Sequence, residues 1–186
     1  MYQPRTPNYQ KSDPVMRWNL PDRVFFACGA CHILAHAFLM RYGTDDMTPL
    51  WFHPNKGFTG NHIIIAWDDW IFDYHGYSHR QTFIDHCFSR ARQRWANWDA
   101  EIKPIPRDVL ISEEKSRQID GLWLREPKQF LHDALPRAER FLDRFAAPPQ
   151  TPPFGAPQNE HDPFAANPTP RRFHARRHQS GTVFPG

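Results

Sequence analysis

The stretch Asn61-His62-Ile63-Ile64-Ile65-Ala66-Trp67-Asp68-Asp69-Trp70-Ile71-Phe72-Asp73-Tyr74-His75-Gly76 decides the fold. Two β-branched and aromatic runs, His62–Trp67 and Trp70–His75, flank Asp68-Asp69, a pair suited to a two-residue turn, and Gly76 ends the second run. The pattern predicts a hairpin. Both of its faces are apolar, so it belongs at the covered centre of a sheet rather than at a wet margin. A turn at 68–69 pairs Ile64 with Asp73 and His62 with His75. Alternate residues share a face, so His62, Ile64, Ile71, Asp73 and His75 point the same way. His62 and Asp73 are then diagonal neighbours. Asp73 lies among Ile71, Phe72 and Tyr74, where an unpaired carboxylate is costly, and His62 is the nearest suitable partner.

Working outward, Ala30–Tyr42 carries Ile33, Leu34, Ala37, Phe38 and Met40 at helical spacing, with Gly43 at the C′ position. Beyond the hairpin, Ser78-His79-Arg80-Gln81 reads as a capping box. Phe83, Ile84, Cys87, Phe88, Ala91 and Trp95 then form the apolar stripe of an amphipathic helix. Pro127 and Pro136 read as opening residues of two short helices, Lys128–Leu135 and Arg137–Phe145. Asp108–Ser112 and Ile119–Leu124 read as short strands. The expected class is α+β: the Cys31-bearing helix packed on an antiparallel sheet that contains the His/Asp hairpin, with further helices covering it.

The 186 residues fit one principal domain, read as residues 18–146. Residues 1–17 are polar and Pro-containing and read as a flexible arm. Residues 147–186 hold many of the 19 prolines and almost no aliphatic side chains, the signature of a disordered tail. Arg171, Arg172, Arg176 and Arg177 against Glu160 and Asp162 make that tail basic and leave the domain nearly neutral, which argues against a nucleic-acid coat. Three cysteines cannot all pair, so a disulfide scaffold is not expected. No apolar leader or spanning segment is legible, and the expectation is a cytoplasmic protein with no membrane partner, although signal-independent export leaves no mark.

Chemistry concentrates at Cys31. A thiol in the first turn of a helix sees the positive end of the helix dipole, which favours the thiolate. Gly29 and Ala30 before it allow a tight turn and close approach of a substrate. An imidazole beside a carboxylate on rigid strands is an oriented general base. The bland alternative is a buried structural thiol and a structural His–Asp hydrogen bond. Together, Gly29-Ala30-Cys31-His32-Ile33-Leu34-Ala35, Asn61-His62-Ile63-Ile64-Ile65 and Ile71-Phe72-Asp73-Tyr74-His75-Gly76 resemble the papain-like superfamily in its minimal bacterial form, near transglutaminase-like and cell-wall-peptidase-like domains.

The resemblance spans roughly residues 24–90. It implies Cys31 as nucleophile, His62 as general base and acid, and Asp73 as the orienting residue. The implied substrate is a peptide or protein-like amide, or an ester, attacked without cofactor or metal. Members of that superfamily often carry a glutamine before the cysteine as an oxyanion donor. Val24-Phe25-Phe26-Ala27 offers none, which leaves the Cys31 amide, with Asn19 or Asn61 as helpers. Ala30, His32, Trp51 and His75 complete the expected vicinity of the site, and Trp51–Phe58 reads as a flap over it.

Two metal-centred alternatives compete for the same residues. Cys28-Gly29-Ala30-Cys31-His32 matches the haem-attachment pattern letter for letter. Cys28, Cys31, His32 and His36, with His53, His75, His79, His86 and Cys87, are candidate zinc ligands. A non-catalytic binding module is the third alternative, built on Arg90, Arg92, Arg94, the tail and seven tryptophans. Of these, Trp51, Trp67, Trp70, Trp95, Trp98 and Trp123 read better as core and lid material.

Overall fold

The structure, a computed structural model, describes residues 8–150. Three helices come first: α1 (Pro14–Trp18), α2 (Asp22–Ala27) and α3 (Cys31–Tyr42). Strands β1 (Thr48–Pro54), β2 (His62–Trp67), β3 (Trp70–Asp73) and β4 (Gly76–His79) follow, then α4 (Arg80–Arg94) and β5 (Ala100–Pro104). A 3-10 turn (Arg107–Ile111), α5 (Glu113–Arg117), a second 3-10 turn (Pro127–Gln129) and α6 (Leu135–Leu142) complete the order. The five strands form one antiparallel sheet in the order β4-β3-β2-β1-β5. The class is α+β.

The 68–69 turn holds, and Ile65 pairs with Phe72, Ala66 with Ile71 and Trp67 with Trp70. β2 is the central strand, covered on both faces. Trp51, Ile63, Ile65, Trp67 and Phe72 meet α3 in the main core, where Phe38 stacks on Phe72 at 4.2 Å between ring centres. Leu50, Phe52, Ile64, Ala66 and Ile71 meet Phe83, with Ile84, Cys87 and Phe88 of α4 against them. α3 is apolar on almost every side because it is enclosed: the sheet lies on one side, with α2, α6 and the first 3-10 turn on the others.

Several expectations change. β3 stops at Asp73 instead of continuing to His75. The Asp73 carboxylate accepts the His75 backbone N–H at 2.7 Å, the side-chain turn that Asp favours, and Gly76 at φ +102° leads into β4. His75 therefore sits in a tight turn and does not face His62. Ser78 pairs with Ile71 inside β4, so α4 begins after His79 without a capping box. Trp51–Pro54 is no flap: it is strand, hydrogen-bonded to β2 and β5. β5 carries no apolar strand pattern in the sequence because an edge strand takes charge and proline, here Glu101, Lys103 and Pro104. Residues 107–111 are a 3-10 turn, and 119–124 form no strand.

The 128–135 helix shrinks to the 127–129 turn, and α6 starts at Leu135. Gly43 ends α3 in extended rather than left-handed backbone. Part of the segment read as an arm is α1, capped by Asp13 through the amides of Val15 and Met16. Trp123 is 62% exposed, held by the Arg117 guanidinium 5.1 Å from its ring, so it is not core. Of the tail, residues 151–186 lie outside the described residues. No helix among the described residues is long and apolar enough to cross a membrane.

Candidate active site

Cys31 is the first residue of α3 and His62 the first of β2, so the helix start and the strand start meet at one end of the sheet. Ala30 caps α3 without a side-chain acceptor, which leaves the Cys31 and His32 amides without a side-chain cap beside the thiol. Cys31 is partly exposed. It shares a crevice too narrow for a water molecule with Leu34, Ala35, Ile63, Phe72, Asp73 and Tyr74, so a reagent must approach from the solvent side.

The His62 ring is bound at Nε2 to Asp73 Oδ2 at 3.0 Å. A carboxylate only accepts, so Nε2 carries a proton in this contact, and Nδ1 is the ring nitrogen left to exchange a proton with Cys31. Tyr74 stands edge-on to the imidazole at 5.4 Å. Asp73 is only 1% exposed in its side chain, yet it is fully engaged: His62 Nε2 on one oxygen, the His75 N–H on the other, and His75 Nδ1 at 3.2 Å from both. The brace below His62 is thus an aspartate locked by its own turn.

The electrostatics follow from that geometry. Burial alone pushes the Cys31 thiol up, but hydrogen bonds from His32 and His62, and their charges, overcome it and bring it down to about 5. Burial depresses His62, and Asp73 and Cys31 overcome this too, raising it to about 9. Asp73, opposed by burial but bonded to both histidines, falls to about 2. The consistent state near neutrality is thiolate, imidazolium and carboxylate in a row. The other thiols behave oppositely: burial raises Cys28 to about 11 and Cys87 to about 12.

Of the nine expected site residues, Cys31, His32, His62, Asp73 and His75 come together. Ala30 caps the helix, fully buried. Asn61 and Trp51 form their own bond, indole Nε1 to the Asn61 oxygen at 2.8 Å, which ties the start of β2 to β1. Asn19 is exposed at the C-terminal end of α1, and no hydrogen bond joins it to the cluster. Arg125 had no sequence signal: its carbonyl accepts from His32 Nε2 at 2.8 Å across 93 residues of chain. His32, buried and anchored there, presents a second imidazole to the thiol.

Among the described residues, no three His, Cys, Asp or Glu side chains are placed so that together they could hold a metal ion. A depression of about 490 Å³ lies at the opposite end of the sheet, lined by Asp46, Thr48, Ala66, Trp67, Asp68 and Arg80, away from this chemistry. Comparison with protein-family models, curated proteins and solved structures finds no match to this chain.

Proposed function

We propose that this protein is a thiol-dependent hydrolase or acyltransferase acting on an amide or ester of a peptide-like substrate. The observation that carries it is the chain Asp73–His62–Cys31, with the thiol driven down to about 5 against the effect of burial. The Cys31 thiolate attacks the carbonyl carbon, forming an S–C bond and a tetrahedral oxyanion that faces the Cys31 and His32 amides. As that intermediate collapses, His62 gives its proton to the departing amine or alcohol and the C–N or C–O bond breaks. Water or another acceptor then loses a proton to His62 and attacks the thioester, releasing the acyl group and restoring the thiolate. Asp73 holds the ring through both steps. The unoxidised thiols of Cys31 and Cys87 suit a reducing compartment such as the cytoplasm.

The test is an activated ester, p-nitrophenyl acetate, followed by acid quench and mass mapping. An acetyl adduct should appear on Cys31 and turn over, and Cys31→Ser should form none. His62→Ala should slow acylation by about 10² or more. Hydrolysis by wild type no faster than by Cys31→Ser overturns the proposal.

A further inference from the structure

A cation, Lys11, lies against the turn Cys28–Ala30 that leads into Cys31, and two more are linked to it. The Lys11 side chain reaches Gly29, its Cε 3.8 Å from where a Cβ would stand. Arg17 bonds the Lys11 carbonyl through one terminal nitrogen, and Arg125, whose backbone anchors His32, presents its charge to Arg17. Among the described residues, none of the three takes part in an ion pair.

Arg17 is the decisive member. It is 8% exposed, and its buried Nε has no hydrogen-bond partner; nor has the buried hydroxyl of Tyr9 beside it. Tyr9 and Arg17 interact electrostatically with one another. Asp13, the acid nearest in sequence to Arg17, is committed to the α1 amides. Nearby cations, an unfilled guanidinium donor and an unfilled phenol are individually costly to bury. A planar carboxylate meets all of them, since a guanidinium fork binds its two oxygens and a phenol can add a third donor.

We propose that Tyr9, Lys11, Arg17 and Arg125 form a carboxylate subsite beside the nucleophile, so that the substrate carries a free carboxylate close to the bond attacked by Cys31. This rests on Cys31 being the reacting thiol. Gly29 is two residues from Cys31, hence at most about 8 Å away along the backbone. The subsite thus serves a carboxylate within a residue or so of the scissile carbonyl.

The experiment compares alkylation of Cys31 by iodoacetate and by iodoacetamide, reagents of similar size that differ in the carboxylate. In both, the thiolate displaces iodide from the CH₂ carbon. Any change in thiol acidity affects the two rates alike and cancels in their ratio. At about 8 Å, with an effective dielectric constant between about 40 and 80, removing one cation should lower the iodoacetate-to-iodoacetamide ratio about two- to sixfold. Lys11→Met and Arg125→Gln should each show this, and Arg17→Met should show it most if it folds. Added salt should lower the wild-type ratio and flatten the differences between variants.

An unchanged ratio in Lys11→Met and Arg125→Gln overturns the subsite while leaving fast iodoacetamide labelling, and with it the thiol chemistry, intact. Conversely, slow iodoacetamide labelling of wild type counts against the proposed activity. A ratio that still falls on charge removal keeps the subsite.

Discussion

Asp73→Asn changes one atom type at a buried position, and its consequences can be worked out. The carboxylate accepts from His62 Nε2 at 3.0 Å and from the His75 amide at 2.7 Å. An asparagine has only one accepting end. If the oxygen keeps the His75 amide, its NH₂ faces His62 Nε2, and the ring must carry its proton on Nδ1, the nitrogen that serves Cys31. If it turns the other way, NH₂ opposes N–H and the turn into β4 loosens. Either way the relay to sulfur fails.

Asp73 is held at about 2 against an ordinary value of 3.8. At about 1.4 kcal/mol per tenfold in acidity, the carboxylate contributes on the order of 2 kcal/mol. The side chain is almost fully buried, so solvent screens little of this. Because its folded value is depressed, that stability is present above about pH 4 and is lost as pH falls towards 2. Urea denaturation from pH 5 down to pH 2 should show this loss in wild type and lack it in Asp73→Asn. At pH 7 the variant should be about 2 kcal/mol less stable. Its Cys31 labelling at pH 6 should fall to the rate of an ordinary thiol. Unchanged labelling and an unchanged acid limb in the variant would refute the reasoning.

Three further outcomes follow. Asn61→Ala should cost about 1–3 kcal/mol in denaturant titration, because it leaves the buried Trp51 indole N–H unpaired, and a Trp51→Phe background should remove most of that cost. Gly76→Ala places a Cβ 2.9 Å from Phe145 at φ +102°, so thermal unfolding should report a loss of about 2 kcal/mol or more. Arg137→Leu removes bonds to Asp22 and to the carbonyls of Trp18 and Leu20, together with a cation–π contact to Phe25 at 4.1 Å. Denaturation should show about 3 kcal/mol lost, with Cys31 labelling unaffected.

The hairpin, its register and the cysteine-bearing helix were legible because each rests on local periodicity: β-branched runs around Asp68-Asp69, and the apolar spacing after Ala30. The His62–Asp73 contact followed from the same register, since a two-residue turn fixes which side chains are diagonal. The limits were equally physical. The sequence marks Asp73 as a strand residue that needs a partner, yet its short side chain also captures the His75 amide and bends the chain, so His75 approaches Asp73 from the turn side. Ser78 has good capping chemistry, but the strand pairing of its backbone with Ile71 defers the helix. β5 lacks the apolar alternation of a half-buried strand. Arg125 meets His32 only through tertiary folding, and a backbone carbonyl leaves no mark on residue type. Nor does spacing between Cys31 and His62 encode their contact; it follows from the packing of α3 across β2 and β3.

The pH dependence of iodoacetamide labelling at Cys31 tests the thiolate–imidazolium pair most directly. Cys28 and Cys87 are pushed up to about 11 and 12, so the signal below pH 8 belongs to Cys31, and Cys31→Ser supplies the blank. The rate should rise with a midpoint near pH 5 and stay high through neutrality, and His62→Ala should shift the midpoint upward. A wild-type midpoint at pH 8.5 or above, or the same midpoint in His62→Ala, contradicts the pair.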